Sequence, residues 1–371
     1  MGYFFLVASL ILFLMQSIIG GWFYFLFPSI GWKIPVVILP VLLTLFVRFT
    51  MGYTRTHYGT LESLAYYAAY IWAGLVFVFC FLVLVFALVQ GIGALCHISL
   101  RPPLKIITLF TFAAVTVLSV WGGFCPPKIQ YISTSVAAAS ADAPVSSTPQ
   151  LTAAVISDTH LGTGVSLSRW KKVLARIEQQ KPDIIFVLGD LFEYGMNARE
   201  YADELAAVKP PLGIYGVLGN HEYYMGYQNS VNFYERAGIK LLQNETVTLP
   251  NGLQLIGVND IQTTGVTQQQ LDKLLAKTNP AAPRILLSHQ PLLTQTAAKH
   301  NIPLVLSGHT HAGQLWPFHY LVKLKYPYRY GWYQIGPQSR LYVTSGVFYW
   351  GMPLRLFAAA EIPVMQLKMY D

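Results

Sequence analysis

Two regimes of hydrophobic patterning divide the chain. Up to about residue 127 the apolar runs are long and almost free of charge, whereas beyond residue 150 they are short and alternate with amphipathic stretches. A helix needs about 20 apolar residues to cross the core of a bilayer. Tyr3 to Phe27, Leu64 to Val89 and Leu104 to Phe124 supply them, and Trp32 to Val47 comes close. Residues 1–127 therefore predict a bundle of about four transmembrane helices. The second contains Pro35 and Pro40 and is expected to be kinked or re-entrant. Trp22, Tyr24, Trp32 and Trp121 gather near span ends, where amphipathic rings favour the interface. The first span reads as an anchor rather than a cleaved leader, because no charged segment precedes it and three further spans follow.

Residues 128–150, rich in Ala, Ser, Thr and Pro from Ser133 on, read as a linker, and residues 151–371 as a second domain. There the short apolar runs predict strands at Ala153 to Ser157, Asp183 to Leu188, Ile214 to Leu218, Lys240 to Leu242 and Leu253 to Val258. Others follow at Ile285 to Ser288, Leu304 to Ser307, Leu341 to Thr344 and Ile362 to Lys368. Helical spacing predicts helices at Leu167 to Gln180, Glu200 to Val208, Ser230 to Ala237 and Gln268 to Lys277. Trp170, Val173, Leu174 and Ile177 form the apolar stripe of the first of these. Strands alternating with helices imply an α/β architecture, and the strand-rich end implies a second, more antiparallel sheet. The expected fold is two packed mixed sheets flanked by helices.

Charge sharpens the boundary. Before Gln150 there are six bases (Lys33, Arg48, Arg55, Arg101, Lys105, Lys128) and two acids (Glu62, Asp142), out of 25 and 17 in the chain. The net charge of +8 thus splits evenly, +4 on each side. A domain at +4 with interspersed signs has no basic stripe, so nucleic acid is not an expected partner. Cys80, Cys96 and Cys125 lie in or beside apolar segments, which leaves the second domain without a disulfide or a thiolate metal site. With four spans, Arg48, Arg55 and Lys128 fall on the domain's side and Lys33, Arg101 and Lys105 on the other, a tie under the positive-inside rule. The compact basic turn Arg101 to Lys105 and the nearly uncharged linker tip the expectation toward an extracytoplasmic domain on a multi-pass protein of a bacterial inner (plasma) membrane.

Ligand-capable residues recur where the apolar runs stop: Asp158-Thr-His160, Gly189-Asp190, Gly219-Asn220-His221-Glu222, Ser288-His289 and Gly308-His309-Thr-His311. In open α/β sheets, ligands bind beyond the carboxyl ends of the strands. Each motif alone has an ordinary explanation as a capped turn, a helix start or a hydrogen-bonded core histidine. Together they deliver Asp, His and Asn from five strands to one edge. His309 and His311 are two apart, so an extended backbone turns both rings to the same side.

In this order the motifs resemble the signature of the calcineurin-like metallophosphoesterase superfamily. The run Gly308 to Gln314 and the ending Trp350-Gly-Met-Pro-Leu-Arg355 are similar to the YkuE and YaeI-like branch, which has membrane-anchored members. Glu193 is a departure, since some members carry Asp there. The resemblance implies two divalent cations (Mn, Fe or Zn), one held by Asp158, His160 and His311, the other by Asn220, His289 and His309, with Asp190 bridging. It implies His221 as the catalytic histidine. A ligand set of carboxylate, imidazole and amide oxygen without thiolate suits those metals. Glu222 and Asp260 are candidates for supporting roles. The segment Trp316 to Tyr333 interleaves aromatic residues with Lys323, Lys325 and Arg329, a mixture suited to a lipid interface or to packing on the domain's own core. The expected activity is hydrolysis of a phosphodiester or pyrophosphate bond in a lipid or lipid-linked substrate, with the bilayer as partner. A broad phosphatase on soluble esters and a non-catalytic membrane scaffold are the contrasting readings.

Overall fold

The computed structural model describes residues 2–28, 33–57, 59–136, 150–193 and 197–369. Trp32 and the linker residues 137–149 lie outside them. The chain divides into two compact units: one of Met1–Phe124 with Leu315–Pro317 and Gly351–Phe357, the other of Cys125–Gln314, Phe318–Trp350 and Ala358–Asp371.

The first unit is helical: α1 Gly2–Leu26, α2 Lys33–Tyr53, α3 Thr60–Leu95 and α4 Arg101–Phe124. Three of these, α1, α3 and α4, are long and apolar enough to cross a membrane, while the apolar part of α2, Ile38–Tyr53, is shorter and contains Pro40. Polar side chains tie the helices together where apolar packing gives little specificity. Gln16 donates to the Thr44 hydroxyl at 2.8 Å and accepts from Trp72 Nε1 at 2.9 Å, linking α1, α2 and α3. Trp22 Nε1 donates to the Thr108 hydroxyl at 3.1 Å, linking α1 to α4. The two short segments pack into this unit closely. Leu315, Leu354 and Leu356 join its apolar cluster, and Arg355 N donates to the Ser119 carbonyl at 2.9 Å. Gly122 and Gly123 of α4 make room, because a Cβ on either would strike the carbonyls of Arg355 and Pro353.

The second unit carries two six-stranded mixed sheets. Its strands are β1 Lys128–Ser135, β2 Gln150–Ile156, β3 Ile184–Val187, β4 Ile214–Gly216, β5 Ile239–Leu241, β6 Glu245–Thr248, β7 Gln254–Val258, β8 Arg284–Ser288, β9 Leu304–Ser307, β10 Gly331–Gly336, β11 Ser339–Val343 and β12 Glu361–Lys368. Its helices are α5 Leu167–Glu178, α6 Ala198–Ala207, α7 Asn220–Tyr224, α8 Tyr227–Arg236, α9 Ile261–Thr264, α10 Gln268–Leu275, α11 Thr294–Lys299 and α12 Phe318–Lys325. The sheet orders are β1-β12-β2-β3-β4-β5 and β10-β11-β9-β8-β7-β6. In the first, β2 to β5 run parallel; in the second, β7, β8, β9 and β11 do.

Side-chain alternation builds the layers. Ala153, Val155, Ile184 and Phe186 face Leu255, Ile285, Leu287, Leu304 and Leu306 across the gap between sheets. Ala154, Ile156, Ile185 and Val187 point the other way, onto Trp170 and Ile177 of α5, Leu205 of α6 and Phe233 of α8. The second sheet is covered likewise by Leu271 and Leu274 of α10 and Ala297 of α11. Residues 128–135 depart from the linker reading. They form β1, parallel to β12 over eight positions, and as an edge strand with only Ile132 and Thr134 buried it carries too few apolar residues to announce itself. The segment after Trp316 forms α12 and then β10.

Candidate metal centre

Each chemical motif sits just past the end of a parallel strand. Asp158 and His160 follow β2, Asp190 and Glu193 follow β3, Asn220 and His221 open α7 after β4, His289 follows β8, and His309 and His311 follow β9. To bring them together the backbone turns sharply. Asp158, His160, Asp190, His309 and His311 all have φ between 41° and 70°, a region costly for residues with a Cβ and concentrated at functional sites. Gly308 permits the closest approach, since a Cβ there would collide with Ser157 and the Asp158 carboxylate.

Among the described residues the inner atoms form three overlapping groups; one is His160, Asp190 and His221, and the other two hold only residues expected as ligands. Asp158, His160 and His311 make one, with His160 Nε2 to His311 Nε2 at 3.0 Å and His311 Nε2 to Asp158 Oδ1 at 3.6 Å. Asp190, His289 and His309 make the other: His289 Nε2 is 3.1 Å from His309 Nδ1, 3.2 Å from Asp190 Oδ2 and 3.3 Å from Asn220 Oδ1. Asp190 Oδ2 also lies 3.8 Å from His160 Nε2, so it is shared between the groups. A cation bound at about 2.1 Å separates neighbouring ligand atoms by roughly 3.0 Å in octahedral and roughly 3.4 Å in tetrahedral geometry. The observed spacings fall in and around that range. All seven residues expected as ligands are therefore together.

Hydrogen bonds on the outer side of each ring decide which nitrogen faces inward. His289 Nδ1 donates to the Leu188 carbonyl at 2.7 Å, His160 Nδ1 to Glu193 Oε1 at 2.8 Å, and His309 Nε2 to the Tyr326 hydroxyl at 2.7 Å. The Tyr326 hydroxyl donates onward to Gln262 Oε1 at 3.0 Å, so it accepts from His309. Each inner nitrogen thus faces a carboxylate oxygen, an amide oxygen or another imidazole, a set that is satisfied by a shared proton or by a cation. Burial lowers the His289 pKa, but the Asp190 carboxylate, through its charge and its hydrogen bond, and Asp158 outweigh it and hold the ring at about 10. Burial and the neighbouring His289 push His309 down to about 3. Burial and the Asp190 charge raise Asp158 above the usual carboxylate range. The donor set fits divalent cations.

Glu193 joins two rings. Its Oε1 lies 2.8 Å from His160 Nδ1 and 2.5 Å from His221 Nδ1; the second contact is a close ion pair without the alignment of a hydrogen bond. Burial would raise the Glu193 pKa, yet the two histidines bring it to about 2. Burial likewise works against charge on His221, while Asp190 and Glu193 raise it to about 9. His221 N also donates to Asp190 Oδ1 at 2.9 Å, and the ring sits edge-on to exposed Trp350, centroids 5.9 Å apart. Glu222 accepts from Asp190 N, Leu191 N and Gly219 N at 2.7 to 2.9 Å, which fixes both loops. Asp260 caps α9 through Thr263 N at 2.9 Å. Sequence reasoning missed Tyr326 and Gln262 as supports of His309; the only signal was the aromatic-basic composition around Tyr326. Of the three bases in that segment, Arg329 is committed to the Ala312 carbonyl, whereas Lys323 and Lys325 are exposed.

The pattern of the calcineurin-like phosphoesterase family matches residues 151–313, which hold all of these ligands. An uncharacterized metallophosphoesterase of Helicobacter pylori is 36% identical over 217 residues, covering 57% of this chain and 58% of that protein. One of Aquifex aeolicus is 35% identical over 217 residues, covering 57% and 83%. A transmembrane protein with metallophosphoesterase domain of Danio rerio is 30% identical over 282 residues, covering 70% and 62%. The chain thus spans about three-fifths of the Helicobacter and Danio relatives, with 58% and 62% of their lengths matched. Identity of this extent, together with the ligand geometry, makes the chain a member of the calcineurin-like metallophosphoesterase family.

Proposed function

We propose that the chain is a membrane-bound, binuclear metal-dependent phosphoesterase that hydrolyses a phosphodiester or pyrophosphate bond in a lipid or lipid-linked substrate. The observation that carries it is the convergence of seven buried or nearly buried ligand side chains, with the inner nitrogens of His160, His289 and His309 turned toward the other ligands by their outer partners. Asp158, His160 and His311 would hold one cation and Asn220, His289 and His309 the other, with Asp190 between them. When bound, two divalent cations activate water as nucleophile and neutralise phosphate oxygens.

The chain's own residues do the rest. Glu193 orients His221 through Nδ1 and favours its protonated form. That leaves Nε2 to stabilise the charge on the departing oxygen or to give it a proton. Trp350 supplies an exposed ring beside His221 against which a substrate group can rest. The lipid class is supported by the membrane-spanning helices and by the aromatic and basic surface of α12. On the four-span reading, the compact basic turn Arg101 to Lys105 and the nearly uncharged linker favour a domain outside the cytoplasm of a bacterial plasma membrane, and this depends on α2 crossing despite its short apolar stretch. Labelling of a cysteine introduced in the linker, from either side of sealed vesicles, tests it.

Metal-loaded full-length protein assayed on phosphomonoesters, phosphodiesters and extracted membrane lipids tests the main reading. Lipid turnover is expected, and activity confined to soluble monoesters would replace this reading by a broad phosphatase. Asp190→Asn should abolish turnover and leave the thermal transition of the metal-free protein in place. Retained turnover would refute the bridging role.

A further inference from the structure

No residue of α12 is buried. Phe318 is 39% exposed, Tyr320 62%, Leu321 52% and Leu324 84%, and Lys323 and Lys325 are exposed beside them. An eight-residue helix is marginal in water, and helices on soluble domains persist by burying one face against a core. This helix turns its large apolar side chains outward. Its inner attachment is to the metal centre. Gly313, two residues past ligand His311, has no Cβ to strike His319, and Tyr326, which follows the helix, is buried against His309.

We propose that α12 is an interfacial helix that seats in the headgroup layer of an anionic bilayer. Phe318, Tyr320, Leu321 and Leu324 enter the boundary with the acyl chains, and Lys323 and Lys325 meet lipid phosphates. Three observations favour lipid over any other cover. Among the described residues three helices are able to span a membrane, so a bilayer is part of the chain's surroundings. The exposed charges of α12 are both positive and lie among aromatic and aliphatic side chains, the composition that anionic interfaces select. The residues just before it, Leu315–Pro317, belong to the helical unit, where Leu315 is buried in the apolar cluster and Trp316 meets the Phe81 ring at 5.0 Å. In its purpose the inference rests on the lipid-substrate reading: a helix docked in lipid and tied to His309 would hold the catalytic centre at headgroup depth.

The test reads docking without turnover. Full-length protein with its three cysteines replaced carries an environment-sensitive fluorophore at Leu324→Cys, or at Gln228→Cys on the exposed face of α8 as control. It is reconstituted into vesicles of phosphatidylcholine and phosphatidylglycerol, with and without brominated acyl chains. Quenching of about two-fold or more at position 324 and none at 228 is expected, weakening when phosphatidylglycerol is omitted. An unquenched label at 324, or one shielded only as protein density rises, would overturn the proposal, the latter by assigning the surface to a second copy. If the cysteine-free chain fails to fold, Leu321→Ser/Leu324→Ser in the native background serves instead. That variant should lose about five-fold or more on a vesicle-held phosphodiester and keep its rate on a soluble ester; equal rates on both would also overturn the inference. Quenching at 324 without lipid hydrolysis leaves docking intact and removes the lipid-substrate reading alone.

Discussion

Glu193→Gln tests whether His221 acts as an acid that its neighbour keeps charged. The carboxylate lies 2.5 Å from His221 Nδ1 in a site where burial alone would strip the ring of its proton. Asp190 and Glu193 reverse that and bring His221 from 6.5 to about 9. At 1.36 kcal/mol per pKa unit, the displacement favours the imidazolium by roughly 3 kcal/mol. Because the folded value is raised, the charged form is fully present below the ordinary value of 6.5 and is lost as pH climbs through about 9. Turnover that needs imidazolium should hold through neutral pH and fall on the alkaline side.

Glutamine keeps the shape and one acceptor but removes the charge. The Glu193 charge is one of those that raise His221, so its loss should remove about 1 to 1.5 kcal/mol of that preference and move the alkaline limb about one pH unit toward acid. Asp190 remains, which keeps the ring from returning to its ordinary value. A bound cation would act on both proteins alike and would cancel in the comparison. The assay is kcat on a soluble chromogenic ester from about pH 6 to about pH 10, with metal content measured at each point because Glu193 also supports His160. A variant with a lower rate but an unmoved limb would refute the argument, since the titrating acid would then be some group other than His221. His221→Ala should lack that limb altogether.

Tyr326→Phe removes the acceptor of His309 Nε2 and should weaken metal binding about 10- to 100-fold; metal retained against a buffered chelator measures it, while the metal-free thermal midpoint should change little. Gly123→Ala places a methyl on the Pro353 carbonyl in the helical unit and should destabilise the chain by about 1 to 3 kcal/mol. Gly21→Ala, with nothing within 4 Å of its Cβ, should not destabilise it; thermal unfolding of both variants in detergent compares them.

The parts of the fold that could be read from sequence are those whose pattern is local. Apolar runs such as Leu304 to Ser307 are buried on both faces and bounded by polar turns, and β9 has those bounds in the structure. Trp170, Val173, Leu174 and Ile177 lie on one stripe of α5, and all four are buried. Elements whose stability comes from elsewhere gave no such signal. Strand β1 exists because β12 offers it eight paired positions. Strand β6, with burial confined to a half-buried Val247, depends on β7. Helix α12 buries nothing, so periodicity had no core-facing stripe to report.

The metal centre divides along the same line, inside from outside. Its inner half was legible because a ligand must be Asp, His or Asn, must sit at a strand end, and must leave room for its neighbours, and those demands write short motifs containing glycine. The outer half was not, because a ring nitrogen accepts any partner of suitable polarity. His289 uses the Leu188 carbonyl, a backbone group that no side chain advertises, and His309 uses Tyr326, seventeen residues away. Glu193 falls between the two. Its place after β3 was visible, but its task of bracing His160 and His221 appears only when strands 2, 3 and 4 bring Asp-x-His, Gly-Asp and Asn-His side by side. Residues placed to touch a cation would answer to coordination chemistry, whereas those that aim the candidate ligands answer to the geometry of the folded chain, and only the first constraint leaves its mark on neighbouring letters of the sequence.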